Sequence, residues 1–279
     1  MGSMYLVSGA TGNVGSELAA ALAGAGEPVR ALVRDPDAVV LPDGAEAVTG
    51  DLNHPETLAK ALTGVDAVFL LPGYADMPGL LARARDAGVA RVVLLSGGSA
   101  GSGDLTNAVS RYMIESERAV RASGLPWTIV RPRAFMSNAL RWLPQLTAGD
   151  EVRVQFPGVR AAVIDPYDIA AVAARALTSG DHEGRTYEVS GPEALLPRDQ
   201  VAVLGEVLGR DLRCVELSDE ETRAELTASM PAAYVDAFFD FYVTGTLDES
   251  PVEPTVQQVT GRPPRTFAQW ARAHAGDFR

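Results

Sequence analysis

The chain has 279 residues, 47% of them hydrophobic, and a formal net charge of −12 at pH 7. That size supports one large domain or a domain with a smaller lobe, and the acidic balance argues against nucleic-acid binding, which needs Lys and Arg to neutralise phosphates. The one cysteine, Cys214, excludes an internal disulfide, no apolar run approaches the ~20 residues of a bilayer span, and a strand expected almost at the N-terminus leaves no room for a signal peptide, so a reducing, cytoplasmic location is expected.

Met4–Ser8 is a short apolar run ending at a glycine turn and reads as a buried strand. Val14, Leu18, Ala21, Leu22 and Ala25 then share one helical face, with Gly24 and Gly26 as a stop. Pro28–Val33 reads as a strand, Ala45–Val48 as a weaker one, and Pro55–Leu62 as a helix capped by Asn53 or His54. Next come the strand Ala67–Leu71, the helix Met77–Ala87 and the strand Arg91–Leu95. A long helix from about Asn107 to Ser123 and the strand Trp127–Val130 complete the series. Strands alternating with helices predict right-handed crossovers and a parallel sheet covered on both faces, an α/β domain of the doubly wound Rossmann type. Beyond Arg131 the alternation loosens. Ala134–Leu146, Asp168–Thr178, Val201–Leu208 and Ser218–Phe241 read as helices, the last interrupted by Pro231, with short strands at Val152–Val154 and Ala161–Ile164. The division expected is a dinucleotide-binding domain over residues 4–150, with strands returning from about 161–190. A smaller α+β lobe over 151–279 would be mainly substrate-binding and would fold over the strand carboxyl ends.

Residues 8–15, SGATGNVG, sit between the first strand and the first helix, with a second strand about twenty residues on. In an open parallel sheet this is where ligands bind. A glycine turn there lets backbone approach a pyrophosphate, and the following helix offers free N–H groups and its positive end. The spacing is G-x-x-G-x-x-G rather than the commoner G-x-G-x-x-G.

GATGNVG, ALVRDP, GDL at Gly50–Leu52, VDAVFLLPG at Val65–Gly73 and SGLPWTIVRP at Ser123–Pro132 occur in this order. IDPYDIAAVAARAL at Ile164–Leu177, EGRTYEVSGPEAL at Glu183–Leu195 and the C-terminal FAQWARAHA follow. Over nearly the whole chain this resembles the NmrA-like branch of the atypical short-chain dehydrogenase/reductases. The resemblance implies NADPH as cofactor. Its turn would be Gly9, Thr11, Gly12, Asn13, Val14 and Gly15. Arg34 would meet the 2′-phosphate, where an NAD site would place an acid. Asp51 and Leu52 would lie beside the adenine, Leu71, Pro72 and Gly73 along the ribose, and Ser96 and Gly97 near the nicotinamide.

Reductases of the main short-chain family pair a proton-donating Tyr with a Lys four residues on, plus a Ser on the preceding strand. Here Ser96, Ser99 and Tyr112 are the candidate catalytic residues, but Ser116 stands where that Lys would be. Members of the NmrA-like branch often carry Lys or His one position after the tyrosine, and here that residue is Met113. Tyr112 is therefore either a sluggish acid or a packing aromatic. Candidate substrate-lining residues are Tyr74, Phe135, Met136, Asn138, Trp142, Tyr234 and Phe238, each also consistent with core packing. The three histidines are scattered, so no metal site is expected. Asp165 and Asp168 are expected to cap a helix, and Arg131 and Arg133 to form salt bridges. The function expected is NADPH-dependent reduction of a carbonyl or quinone on a medium-sized, polyketide-like aromatic small molecule, by a monomer or homodimer. The competing reading, by resemblance to the regulator that names the family, is a dinucleotide sensor without turnover.

Overall fold

The computed structural model describes residues 3–36 and 39–278. In chain order it begins β1 (Tyr5–Val7), α1 (Asn13–Gly24), β2 (Val29–Val33), β3 (Ala45–Thr49), α2 (Ala59–Leu62), β4 (Ala67–Leu70), α3 (Met77–Asp86), β5 (Arg91–Leu95), α4 (Ala108–Ala122) and β6 (Trp127–Pro132). It continues α5 (Leu143–Ala148), β7 (Glu151–Val154), α6 (Pro166–Thr178), β8 (Arg185–Val189), α7 (Pro197–Leu208), β9 (Arg213–Glu216), α8 (Asp219–Ser229), α9 (Ala232–Tyr242), α10 (Thr255–Thr260) and α11 (Phe267–Ala273).

The apolar runs of the first half become a seven-stranded sheet in the order β3-β2-β1-β4-β5-β6-β8. Neighbours from β3 through β6 are parallel, with Leu6 of β1 in register with Arg30 on one side and Val68 on the other. Such strands are covered on both faces, which is why β1 and β4 are apolar throughout and fully buried. On one face Leu6, Val68, Leu94 and Ile129 pack with Leu58, Leu62, Leu80, Leu81 and Val120 from the flanking helices. Elsewhere α1 lies against α6, and Ala19 and Ala173 on these helices are fully buried. Strand order reverses between β1 and β4, and at such a switch point the flanking loops diverge to leave a crevice.

Two compact units share the chain. The first comprises the described residues up to Ala100, Tyr112–Arg131 and Pro166–Glu188. The second comprises Gly101–Arg111, Pro132–Asp165 and the described residues from Val189 onward. Its core gathers Trp142, Leu146, Val152, Val154, Leu204, Phe267 and Trp270 beside the parallel pair β7–β9. The units are thus interleaved along the sequence, which by itself suggests a main cut near residue 150.

Several elements differ from their sequence signal. Residues 55–62 form a 3-10 turn, Pro55–Leu58, before the single helical turn of α2. The stretch that reads as one helix from Ala134 opens with a 3-10 segment, Met136–Trp142, and Pro144 lies in the first turn of α5 that follows. Ala161–Ile164 is not a strand. It makes isolated bridges to two different partners, Phe135–Ile164 and Ala161–Leu195, so no ladder propagates. Pro231 separates α8 from α9 as its missing N–H requires.

Candidate active site

The three glycines after β1 have three different jobs. Gly9 has φ +63°, and a β-carbon on it would lie 2.7 Å from Leu71 Cδ1. A β-carbon on Gly15 would lie 2.1 Å from the Gly9 carbonyl oxygen, so only glycine lets α1 approach the turn this closely. Gly12 donates its N–H to Gly9 O at 2.9 Å, but its own β-carbon position meets only that oxygen, at 3.3 Å. Its free face is open. Gly12 begins α1 with no side-chain cap, and the first turn holds no acid. Thr11, Gly12 and Asn13 are exposed, whereas Val14 is buried and has only backbone to offer a ligand. An open face before an uncapped helix start is a cradle for an anion.

The turn leads into a groove of about 680 Å3 lined by Gly9, Thr11, Arg34, Asp51, Leu52 and Tyr74, among others. Arg34 is exposed and makes no ion pair or side-chain hydrogen bond with the described residues. Arg30, two residues into β2, differs: its guanidinium bonds Glu46 at 2.6 Å and the carbonyls of Ala61 and Thr63 at 2.9 and 2.8 Å. It is a structural clamp. Asp51 accepts the Asn53 N–H at 2.9 Å, and Asn53 Oδ1 accepts the Ala75 N–H at 3.2 Å. This places Tyr74 on the wall of the groove, beside Arg34 and Asp51. Burial pushes its phenol up; the nearby Ser8 hydroxyl pulls it down less, and the Asp51 charge adds to the rise.

Leu71 packs on Gly9, and Gly73, at φ +89°, faces the Tyr112 ring, whose Cδ2 would lie 3.3 Å from a β-carbon there. The Gly73 N–H donates to Ser116 Oγ at 2.9 Å, and Ser116 donates in turn to the Tyr112 carbonyl at 2.7 Å. Ser116 is 2% exposed and ties the loop after β4 to α4, so a lysine has no place there. Met113 fills the other position where a related pattern would put its cation. Its Sδ would lie 2.7 Å from a β-carbon on Gly97, and it accepts the Ser99 hydroxyl at 3.5 Å. Neither position holds a cation.

Ser96 differs from its reading as a catalytic group. Its hydroxyl donates to Glu117 Oε1 at 2.7 Å and is 5% exposed, so it serves a buried network rather than a substrate. Glu117 also accepts from Arg131 Nε and Nη2 at 2.8 and 2.7 Å and from Arg121 at 2.9 Å, while Arg131 reaches Glu188 at 3.1 Å. Arg131 is the salt-bridge residue expected.

The second unit holds an open cavity of about 220 Å3. Phe135, Asn138 and Phe238 line it, whereas Met136 and Trp142 lie in the core and Tyr234, 39% exposed, is not on the wall. The physical reason is the 3-10 period of three. Residues 136, 139 and 142 fall on the buried face, and 135, 138 and 141 on the cavity face. A 3.6-residue period cannot separate these rows, which is why the sequence pattern does not single out Arg141. Asp165 is 2% exposed and pairs with Arg265, and Asp168 is buried in the first turn of α6. Among the described residues no cluster of His, Cys, Asp or Glu is suited to a metal, and no helix is long and apolar enough to cross a membrane.

A family model described as NAD(P)H-binding matches residues 9–180. The chain belongs to this NAD(P)H-binding family. It is an oxidoreductase. A (4-alkanoyl-5-oxo-2,5-dihydrofuran-3-yl)methyl phosphate reductase of Streptomyces griseus is 45% identical over 99% of both chains. An NAD(P)H azoreductase of Xenophilus azovorans is 38% identical, again over 99% of both. The crystal structure of an NADPH-dependent quinone oxidoreductase of Escherichia coli superposes with a TM-score of 0.77, covering 98% of this chain and 99% of that one at 22% identity. At that identity the likeness concerns the fold. Residues 9–180 take in both the glycine cradle and the groove, so the matched segment includes every candidate cofactor contact.

Proposed function

We propose that the protein is an NADPH-dependent reductase of a conjugated, electron-poor carbonyl compound of medium size, such as a quinone, an aromatic ketone or an acylated butenolide. It works without a Tyr–Lys proton donor. The N–H groups and exposed side chains from Thr11 to Gly15 hold the pyrophosphate, and Arg34 holds the 2′-phosphate. Asp51, Leu52 and Tyr74 border the adenine end, while Leu71–Gly73 and Gly97 border the ribose and nicotinamide end. Bound there, the cofactor supplies a hydride.

The observation that carries the reading is the state of the two cation positions, with Ser116 locked between Gly73 and Tyr112 and Met113 packed on Gly97. Reduction of an isolated ketone would build an alkoxide with no strong acid beside it. In a quinone or an acylated butenolide the charge spreads over the conjugated system until water supplies the proton. The net reaction consumes one hydride and one proton per acceptor. The protein's contribution is then mainly geometry, holding acceptor against nicotinamide. The names of the Streptomyces and Xenophilus relatives, a butenolide phosphate reductase and an azoreductase, support acceptors of this electron-poor kind.

NADPH oxidation measured against a panel of quinones, aromatic ketones and acylated butenolides tests the proposal. Turnover of at least one conjugated acceptor is expected. NADPH binding without turnover of any would favour the sensor. Cofactor preference gives a separate test. NADPH is expected to bind well ahead of NADH, and Arg34→Ala to weaken NADPH by about 10- to 100-fold while changing NADH little. Equal affinities in the unaltered protein would remove Arg34 from the site. Tyr112→Phe is expected to lower kcat by less than about 100-fold, the lower limit for losing a general acid. A thousandfold drop with unchanged KM would instead make Tyr112 the proton donor.

A further inference from the structure

The cavity of the second unit contains a charge for which the reductase reading has no use. Arg141 ends the cavity-facing row Phe135, Asn138, Arg141. No Asp or Glu lines the cavity among the described residues, and Arg141 makes no ion pair or hydrogen bond with them. Its side chain is exposed at the cavity mouth, and the protein packed around it still holds the guanidinium below its usual range by desolvation, while the Tyr242 phenol opposes this weakly. Two acids touch residues of the lining without lining it themselves: Glu249 accepts the Tyr242 hydroxyl, and Glu225 accepts the Gln155 amide at 3.4 Å. A cation at the mouth of a cavity whose lining holds no carboxylate offers its hydrogen-bond fork to an anion brought in from outside.

The wall around it is fixed at some expense. Phe156 lines the cavity at φ +48°, the one non-glycine residue with positive φ among the described residues. Backbone strain of that kind persists where the surroundings over-determine it, and it clusters at ligand sites. Here the Phe156 ring is held between Phe239 and Tyr242, with centroids 5.3 and 5.1 Å away. The amides of Asn138 and Gln200 also line the cavity and make no side-chain hydrogen bond with the described residues. A planar guanidinium fork with two further amide donors matches a group with three terminal oxygens better than one with two.

We infer that this cavity receives a phosphate monoester carried by the acceptor, and that Arg141 determines the preference for it. The inference rests on the reductase reading only in naming the ligand a substrate. Two probes test it by calorimetry on protein saturated with NADP+: an acylated butenolide bearing a methyl phosphate, and the same butenolide bearing a hydroxymethyl group. The phosphate is expected to bind about 100-fold more tightly than the alcohol, as charge-assisted hydrogen bonds to the arginine fork imply. In Arg141→Gln the ratio is expected to fall below about threefold, and in Arg141→Lys to lie between, because a point charge replaces the fork. Circular dichroism and NADP+ affinity report whether each variant is folded, and Arg141→Lys carries the test if Arg141→Gln is not. Equal affinities for the two probes, no binding of either, or an undiminished preference in folded Arg141→Gln would overturn the inference. Failure of the reductase reading has a different signature, probe binding without NADPH oxidation.

Discussion

Gly12→Val is expected to raise the Kd for NADPH by at least about 100-fold while the protein remains folded, with far-UV circular dichroism unchanged. The backbone at Gly12 is extended, with φ −94° and ψ 174°, which valine adopts without strain. The added β-carbon meets only the Gly9 carbonyl oxygen at 3.3 Å, a contact that a shift of a few tenths of an ångström relieves. The cost falls on the ligand, because the branched side chain projects into the space before the uncapped start of α1. Gly15→Val provides the contrast. Its β-carbon would lie 2.1 Å from Gly9 O and 2.5 Å from Gly9 C, so α1 has to move away from β1 and stability is lost with binding. Titration of NADPH into both variants, with thermal midpoints recorded alongside, separates the two roles. Wild-type affinity in folded Gly12→Val would mean that the cradle is only a corner in the chain.

How much of this is legible in the sequence depends on period. The strands β1, β2, β4 and β5 are readable because a parallel strand covered on both faces is a nearly continuous apolar run, broken only by Arg30 in β2 and by Arg91 at the start of β5, with a glycine or proline close by. The glycine cradle is readable for a related reason. Helix, strand and loop are contiguous there, so spacing along the chain is spacing in space. Arg34 and Asp51 are legible on the same terms, one at the end of β2 and the other just past β3.

Side chains whose orientation depends on tertiary packing are not legible. Ser96 reads as a group facing the nicotinamide, and only the arrival of Glu117 from α4 shows that its proton is committed. Met136 and Trp142 read as pocket residues on a helical period, whereas the 3-10 segment turns them into the core and turns Arg141 outward. Tyr74 belongs to the groove because Asn53 holds the next residue through its N–H, a bond between residues 22 positions apart. Phe156 gives no signal, since a non-glycine residue with positive φ looks like any other. The strand β9 has no sequence signature because its RCVE sequence is half charged and its partner β7 is some sixty residues away.

Arg131→Leu is expected to destabilise the fold by about 3–5 kcal/mol near neutral pH, and by clearly less near pH 4. Glu117 is 4% exposed, and its charge rests on three donors, Arg131, Ser96 and Arg121. Burial pushes the carboxyl up, but the hydrogen bonds from Arg131, Ser96 and Arg121, with the charge of Arg131, outweigh it and hold the group below the usual carboxylate range. A depressed pKa in the folded state means that the native protein gives up this proton more readily than the unfolded chain. The stabilisation is therefore complete above the ordinary glutamate range, about pH 4–5, and is lost as pH falls through the lower folded value. Removing Arg131 deletes the bidentate partner and leaves Arg121, whose side chain is 37% exposed and pairs less strongly. Burial then prevails and the carboxyl rises, so the variant regains by protonation, as pH falls, part of what it lost. The gap to wild type must narrow on acidification. Glu117→Gln is expected to cost less than Arg131→Leu, because it keeps the shape and leaves Arg131 paired with Glu188 at 3.1 Å. Thermal midpoints of both variants at pH 7 and pH 4 check the argument, with a loss of roughly 10 °C expected for Arg131→Leu at the higher pH. An equal loss at both values would mean that Arg131 acts through packing of its stem, and that the Glu117 charge contributes little.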